Sequence, residues 1–523
     1  MQVLLTMTKL RIDQPDEDLF DLLFVPKDAG KPQVVFSANK SESEPDPNDN
    51  DYFIGPIHVS SAGVAHGMGV IATRDITAGE CLFVTRPAVS VNVEDVFKEW
   101  SSQYESNSSN DNYTSYQTQQ NLLEQVSEKF LVHRMNKIIQ SGDDADRKIA
   151  HSFLLQLANG EEGTARKAPV PDDQDDLLHA LVGKPKALPV WDDDLRTIDE
   201  AKLLEIIRRN AFGPEFIPYE SVEKQWIQRM IRAASTNNTR RPPSRLLGLY
   251  PVAAMINHSC VPNALRVFAC GEWMVVHACS DIAKGAEITW SYLPPVLPYP
   301  QRSQQLRERH GFVCQCVRCK REAEAAACSN IYVLPEALRT YEKPGSIFLL
   351  NSDQECRLQF TQNLLEWERQ NFQTGASSPI QHSNEVRRYW KIGNASLFMN
   401  YLNAVLIDLS NTPEEEAEKI RANVLMVAME LHFGFVSCHY ACTEHLSVMH
   451  LCYEIVSIMH TRAADQSKTL AKLRFWTEQL KKAHLTRYGP LGNSVEKVRA
   501  IMKHTQVVLR NKDGTEKTNF DFI

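Results

Sequence analysis

Apolar and polar residues alternate through the middle of the chain, which predicts β-strands there. Between residues 248 and 292, Leu265, Val267 and Ala269 alternate with other side chains, and a Cys-Gly-Glu turn follows them. A period of two is typical of strands, and a glycine between two such runs indicates a turn from one strand to the next. Short strands broken by glycine are predicted over 53–90 for the same reason.

Helical spacing of apolar residues predicts helices on both sides of this region. Before it, helices are predicted over 121–165 and 199–209, and after residue 330 the pattern is helical to the end of the sequence. A clear helix start is predicted at Thr412-Pro413-Glu414-Glu415, with a threonine cap, proline at the first helical position and acidic residues at the positive end of the helix dipole. Short connections predict antiparallel neighbours. The further helices of this part cover roughly 443–463, 467–486 and 494–510.

Two turn sequences in the β-rich part are similar to each other. Asp75-Ile-Thr-Ala-Gly79-Glu80 precedes one apolar run, and Asp281-Ile-Ala-Lys-Gly285-Ala-Glu287 precedes another. In both, a glycine that can adopt a positive φ comes just before a predicted strand. We therefore predict two similar β-arms and not a solenoid repeat.

Two polar segments interrupt the ordered pattern. Residues 1–50 end in an acidic, proline-rich stretch with little to bury, which predicts a flexible N-terminal segment. Residues 101–120 are rich in Ser, Asn, Gln and Tyr without a period, which predicts a mobile insertion.

Composition narrows the class of protein. A chain of 523 residues with 43% hydrophobic and 23% charged residues is typical of a soluble protein with several folding units. The net charge of -8 does not indicate direct nucleic-acid binding. Because no apolar run reaches about 18 residues and the N-terminus lacks a signal-peptide pattern, no membrane span is predicted, and the cytoplasm and/or nucleus is the expected location.

The cysteine spacing gives the strongest chemical signal. Cys314-Gln-Cys316-Val-Arg-Cys319 places three thiols within six residues, and in a reducing compartment such a cluster favours zinc over disulfides. Structural zinc takes four ligands, so one further ligand is required. Cys260, in a loop punctuated by Pro and Asn, is the best candidate, and Cys328 is the local alternative.

Two other motifs are ambiguous when taken alone. Asn257-His258-Ser259-Cys260 could suggest a cysteine–histidine nucleophile, but near neighbours in a chain rarely point at each other correctly, and a zinc-bound Cys260 would not be reactive. His66-Gly67-Met68-Gly69 allows a ligand to approach the backbone closely, although it is not a nucleotide-binding fingerprint and an ordinary glycine turn explains it equally well.

Four motifs that occur in order carry a family resemblance. They are Gly67-Met-Gly-Val-Ile-Ala-Thr-Arg-Asp-Ile, Asn257-His-Ser-Cys-x-Pro-Asn, Gly285-Ala-Glu-Ile-Thr-x-x-Tyr292 and Cys314-x-Cys-x-x-Cys319. Together they resemble a SET-domain protein-lysine methyltransferase with a cysteine-rich post-SET segment. Gly248-Leu-Tyr-Pro251 and the helical C-terminal third resemble the SET-and-MYND subgroup.

This resemblance implies an α+β fold. It consists of a β-rich SET domain of small sheets with a pseudoknot, a post-SET zinc knuckle, and an all-α, TPR-like C-terminal domain. The implied organisation is a flexible segment at 1–50, a SET domain at 51–313 with an insertion at about 91–200, a post-SET zinc segment at 314–330, and a helical domain at 331–523.

The resemblance also implies methyl transfer from S-adenosylmethionine to lysine side chains of a protein, histone or non-histone. Tyr292 matches the tyrosine at the methyl-transfer site, which also contacts the cofactor. Phe312 matches the aromatic residue that stacks on the adenine ring. The other residues matching cofactor contacts are His66, Gly67, Met68, Gly69, Asn210, Asn257 and His258. The residues matching the structural zinc ligands are Cys260, Cys314, Cys316 and Cys319.

Two departures from the subgroup qualify this expectation. His66 stands where a basic residue is usual, which predicts cofactor binding that is weaker or depends on pH. The MYND zinc finger is lacking, because no cysteine occurs between residues 82 and 259.

The expected partner is a protein substrate, such as a lysine-containing peptide or histone tail. The alternative is a catalytically weak or inactive SET-fold scaffold that binds partner proteins through its helical domain.

Overall fold

A computed structural model describes the chain in several stretches. These are residues 53–60, 69–85, 87, 89–92, 128–133, 135–136, 200–212, 246–250, 252–269, 273–328, 330–341, 352–372, 384–408, 413–463 and 466–488. The predicted N-terminal segment, the polar insertion and the last predicted helix at 494–510 lie outside these residues, as does most of the predicted helix at 121–165.

Among the described residues before 291, short strands form three small sheets, and short strands were predicted in this part of the chain. One sheet has the order β1-β4-β10-β9, the second β2-β3-β11-β8 and the third β5-β7-β6. The strands are β1 Phe53–Ile54, β2 Ile57–Ser60, β3 Gly69–Ala72, β4 Cys81–Thr85, β5 Val89–Asn92, β6 Ala211–Phe212, β7 Leu246–Leu249, β8 Asn257–His258, β9 Ala264–Ala269, β10 Trp273–Ala278 and β11 Glu287–Trp290.

The two similar turn sequences pack against each other as a reciprocal pair. Ile76 and Ile282 exchange both of their backbone hydrogen bonds, each 2.9 Å long. Asp75 accepts a hydrogen bond from the backbone of the second turn at Lys284, and Asp281 accepts one from the first turn at Ala78. The glycines that follow have φ of 88° and 78°, a conformation that favours glycine. The two predicted β-arms are therefore joined by a local two-fold arrangement.

Helices occupy most of the second half of the chain, as predicted. They are α1 Glu200–Asn210, α2 Tyr299–His310, α3 Val317–Cys328, α4 Glu336–Arg339, α5 Gln354–Phe372, α6 Asn384–Gly393, α7 Ala395–Asp408, α8 Glu414–Cys438, α9 Thr443–Arg462 and α10 Ser467–Tyr488. The predicted α1, α9 and α10 agree with these bounds to within two residues. The sequence-based prediction of an α+β fold with a helical C-terminal region is confirmed.

The predicted start of α8 is wrong by one residue. Pro413 has an extended backbone (φ -55°, ψ 144°), so it caps the helix, and the first helical residue is Glu414. The carbonyl of Pro413 still accepts a hydrogen bond from Ala417, 2.9 Å long. Three glutamates fill the first turn, where the helix dipole favours negative charge.

Helix α8 is also long and apolar enough to cross a membrane, by length and composition alone. It packs against α6, α7 and α9, and its buried residues include Val424, Leu431 and Phe435. Packing accounts for part of its apolar character, while Met426, Phe433 and Val436 on the same helix are exposed.

The apolar core of the helical region extends into the β-rich region, which also has a core cluster of its own. Leu265 of β9 and Cys279 after β10 belong to the same cluster of buried residues as Trp390, Phe398 and Phe435 of the helices. Helix α10 packs on β9 and β10. Consequently β10 is buried on both faces, and Met274, Val275 and Val276 are all at most 1% exposed.

Histidines form two pairs among the last helices, and three of the four are buried while His450 is half-buried. Ala441 donates its backbone N–H to Nδ1 of His445, 3.0 Å away, so the hydrogen of the His445 ring is on Nε2 and points at Nδ1 of His432, 2.9 Å away. In the second pair, the Nε2 atoms of His450 and His484 are 3.3 Å apart. Burial lowers the pKa of His432 and of His450 to about 4, and that of His484 to about 3.

We expect this region to lose stability in mild acid. Because the folded pKa values lie below the ordinary value of about 6.5, the unfolded chain binds protons that the folded chain does not, and stability falls as pH drops from about 6.5 towards 4. Thermal unfolding followed by circular dichroism should give a Tm that is lower at about pH 5 than at about pH 7.5 by roughly 5 °C or more. In His432→Gln one titrating group is gone, so this difference should shrink. A difference of the same size in the variant would contradict the expectation.

Candidate active site and metal centre

The parallel pairing of β8 with β11 brings the Asn257–His258 pair to Tyr292. His258 is opposite Trp290 in this pairing, and Tyr292 follows two residues later. The backbone N–H of Tyr292 donates to Nδ1 of His258 at 2.9 Å, and the Tyr292 hydroxyl donates to the carbonyl of Ile256 at 2.8 Å. Tyr292 is therefore held at both ends by the segment that carries the predicted cofactor contacts.

The same bond fixes the tautomer of His258 and connects it to the cysteine cluster. Since Nδ1 accepts from Tyr292, the ring hydrogen is on Nε2, which lies 3.2 Å from Sγ of Cys260. The expectation that neighbours in this motif would not face each other was wrong. The contact nevertheless gives no nucleophile, because Cys260 also lies within the cysteine cluster. Such a hydrogen bond to a ligand sulfur is typical of groups that orient metal ligands.

Four cysteines form one compact cluster. The sulfur atoms of Cys260, Cys314, Cys316 and Cys319 all lie within 4.8 Å of one another, and those of Cys260 and Cys319 are 3.5 Å apart. Sulfur atoms at about 2.3 Å around a tetrahedral zinc are separated by about 3.8 Å, so the cluster fits this ion. Hydrogen bonds from Cys314, Cys316 and Cys319 hold the pKa of Cys260 well below its usual range. The side chain of the alternative ligand, Cys328, lies outside the described part.

A buried ion group lies beside the cluster. Arg302 and Arg318 both contact Glu322, and all three side chains are at most 1% exposed. Arg318 also donates to the carbonyls of Pro295, at 3.0 Å, and Tyr389, at 3.4 Å. Burial alone would lower the pKa of Arg302, but the charges of Glu322, Cys260 and Cys319 outweigh it and raise that pKa. The excess positive charge of this group would balance part of the negative charge that four thiolates would leave around a bound Zn²⁺.

Helix α2 leads directly from this ion group to the cysteine knuckle. It ends at His310 because Gly311 adopts the left-handed conformation, with φ 75°. The chain then passes through Phe312 to Cys314. Four rings gather at this point, and their centres are 4.9 to 6.3 Å apart in the contacting pairs. They belong to His258, Tyr292, His310 and Phe312.

Side-chain amides hold the Asn257 loop on β11. Asn257 donates to the carboxylate of Glu287 at 2.7 Å. Asn263 donates to the Glu287 carbonyl at 2.8 Å and accepts from the backbone of Thr289 at 2.8 Å. These bonds fix the orientation of the Asn257 amide, which a cofactor contact requires.

Of the remaining predicted cofactor residues, the structure describes Gly69 and Asn210. Gly69 begins β3, which pairs with β11. Asn210 ends α1, where its side chain donates to the carbonyl of Ile206 at 2.7 Å. Two residues further on, Phe212 makes an edge contact with Trp290, with ring centres 5.3 Å apart. His66, Gly67 and Met68 lie outside the described residues.

Two residues of this site were missed from the sequence, namely Glu287 and His310. Glu287 is part of the Gly285-Ala-Glu motif, so its place beside Asn257 could have been suspected once β8 and β11 were paired. The only feature of the sequence that could have pointed to His310 as a site residue is its position two residues before Phe312, at the end of a helix.

Comparison with known proteins identifies the β-rich region. Residues 67–293 match the SET domain family. The histone-lysine N-methyltransferase ASHR1 of Arabidopsis thaliana is 36% identical over 162 residues, which are 30% of this chain and 33% of that protein. The human histone-lysine N-methyltransferase SMYD3 is 39% identical over 80 residues, 15% of this chain and 18% of that protein. The solved SET domain of LSMT, bound to lysine and AdoHcy, gives a TM-score of 0.26 at 12% identity over 84% of this chain and 87% of that one.

The chain therefore contains a SET domain, and this domain resembles those of SMYD-type lysine methyltransferases. The family match and the motifs support this conclusion. The matched segments span 33% of the length of ASHR1 and 18% of that of SMYD3.

Proposed function

We propose that this chain transfers methyl groups from S-adenosylmethionine to lysine side chains of a protein substrate. The observation that carries the proposal is the gathering of Tyr292, His258 and Phe312 into one group of rings next to the Asn257 amide. These residue types occur at matching positions in the SET motifs, and the names of the relatives describe histone-lysine methyl transfer.

The residues present fit this cofactor. Phe312 offers a half-buried aromatic face for the adenine, and the Asn257 amide, which is held by Glu287, offers polar atoms for another part of the cofactor. S-adenosylmethionine, when bound, supplies a methyl group on positively charged sulfur, which a lysine nitrogen takes with its lone pair while the carbon–sulfur electron pair stays on sulfur.

The chain itself would prepare the lysine and hold it in line. A free lysine with a pKa near 10.4 is almost fully protonated at neutral pH, so the proton must leave to solvent before transfer. Removal from water and the positive charge of the bound cofactor would both disfavour the ammonium form. The Tyr292 hydroxyl, fixed by its bond to Ile256, would then orient the neutral amine, and alignment is the main contribution to the rate.

Zinc would have a structural part in this scheme. A metal with four cysteine ligands has no open position for chemistry, so it would hold Phe312 on one side and the Cys260 loop on the other. The Nε2–Sγ contact of His258 then connects the metal centre to the cofactor contacts.

Two successive measurements test the proposal. Calorimetry with S-adenosylmethionine should show binding, and incubation of the chain with the tritiated cofactor and a protein extract should place tritium on lysine after hydrolysis. Binding without transfer to any protein would support the alternative of an inactive SET-fold scaffold. No binding would contradict both the cofactor assignment and the proposed activity.

The substrate and location belong to the same proposal. The acceptor would be a lysine-containing peptide or histone tail, and partner proteins would bind the helical region. Cytoplasm and nucleus both contain such substrates. Comparing tritium labelling of histones in a nuclear extract with labelling of proteins in a cytosolic extract would show which compartment holds the substrate.

A further inference from the structure

His310 lies within the group of rings, although no motif points to it. Its ring centre is 4.9 Å from that of Tyr292, at an angle of 50°, and 6.3 Å from that of Phe312. It is closer to Tyr292 than either His258 or Phe312 is. A polar ring therefore stands directly beside the residue proposed to orient the target amine.

The position of His310 is fixed from two sides. Gly311 ends the helix immediately after it, and the cysteine knuckle begins at Cys314. On the other side, Arg209 of α1 lies so close that a Cβ added to Gly311 would be 3.3 Å from its Nη1 atom. The backbone that carries His310 is thus held between α1 and the metal centre.

The ring nitrogens of His310 are available to a ligand. Neither nitrogen has a hydrogen-bond partner among the residues that the structure describes. Burial lowers the pKa of His310 to about 3, and the positive charges of Arg209 on α1 and Arg309 on its own helix act in the same direction. Between about pH 6 and about pH 9 the imidazole is therefore neutral, with one donor and one acceptor nitrogen.

We propose that His310 is a further residue of the methyl-transfer site, where its acceptor nitrogen receives a hydrogen bond from the target lysine amine. This inference rests on the proposed function. A neutral amine that donates one N–H to His310 turns its lone pair away from that bond, towards the methyl donor. His310 does not take the lysine proton, because so weak a base would not hold it.

Three variants test the role of His310. His310→Phe keeps a flat ring but removes the nitrogens, while His310→Gln removes the ring but keeps a hydrogen-bond acceptor. Arg307→Gln changes an exposed side chain of the same helix and is the matched control. Each is measured for S-adenosylmethionine affinity by calorimetry and for tritium transfer to the extract fraction that the wild-type chain labels.

The expected order separates hydrogen bonding from packing. His310→Phe should lower kcat/KM for the acceptor by about 10- to 100-fold, with cofactor affinity within about threefold of wild type. His310→Gln should recover most of this loss, and Arg307→Gln should match wild type. A packing role predicts the reverse order, with the phenylalanine variant the better one, so that order would overturn the inference.

Two further outcomes have defined meanings. If His310→Gln keeps the slope of the wild-type pH–rate profile between about pH 6 and about pH 9, the neutral acceptor is supported, whereas loss of an acidic limb would make His310 a titrating base and overturn it.

If the wild-type chain binds the cofactor and labels protein while His310→Phe is fully active, only this inference fails. If the wild-type chain labels nothing, the proposed function fails and the inference with it.

Discussion

Replacing Cys319 with serine is expected to remove zinc from the chain and to weaken cofactor binding with it. Cys319 is 4% exposed, and its sulfur touches that of Cys260, so no water can enter easily to take the place of the thiolate. Structural zinc contributes on the order of 10 kcal/mol to the folding of small zinc-binding segments, which makes this the largest stability effect that we predict. The knuckle should lose its fold, and Phe312 should lose its fixed position.

The measurements are metal content, Tm and cofactor affinity. Wild type should contain about one zinc per chain and the variant much less than half of that. The Tm should fall by roughly 10 °C, and cofactor affinity by about tenfold or more. Cys356→Ser is the matched control, because Cys356 is only half-buried and lies outside the cluster. Full zinc content in Cys319→Ser, with an unchanged Tm, would show that Cys319 is not a required zinc ligand.

Replacing Tyr292 with phenylalanine is expected to lower turnover far more than cofactor affinity. The ring stays in contact with His258 and His310, so the cofactor side of the site keeps its packing. The hydroxyl and its bond to Ile256 are lost, and with them the group that orients the amine. The kcat should therefore drop by about 100-fold, because alignment and hydrogen bonding in the transition state are both affected.

Steady-state kinetics and calorimetry together check this expectation. The Kd for S-adenosylmethionine should stay within about threefold of wild type. Tyr440→Phe is the matched control, since the Tyr440 hydroxyl is buried without a hydrogen-bond partner among the described residues, and its removal should be harmless. Unchanged turnover in Tyr292→Phe would refute the role assigned to this tyrosine.

Much of the fold followed from local pattern in the sequence. The alternation around Leu265 and the glycines at 79 and 285 act over a few residues, so strands and turns were predictable. The cysteine set was predictable for a chemical reason, since three close thiols need a fourth ligand, and Cys260 does meet them.

Other parts of the site depend on contacts between distant segments and could not be predicted. The partnership of Asn257 with Glu287 joins residues 30 apart in sequence. The place of His310 depends on where α2 ends and on how α1 packs beside it. The His258–Cys260 contact was judged unfavourable from the sequence. The turn that brings the two side chains together is set by the pairing of β8 with β11, which the local pattern does not show.

The buried ion group has a consequence for how the chain can be divided. Arg318 belongs to the segment that carries the cysteines, yet it donates to the carbonyl of Tyr389 in the helical region. A fragment ending at residue 330 would leave this guanidinium facing water and would uncover Leu265 and Cys279. The metal-binding segment would then lose its support on one side. We therefore expect that the first half, made without the helices after residue 330, would not be stable as a separate piece.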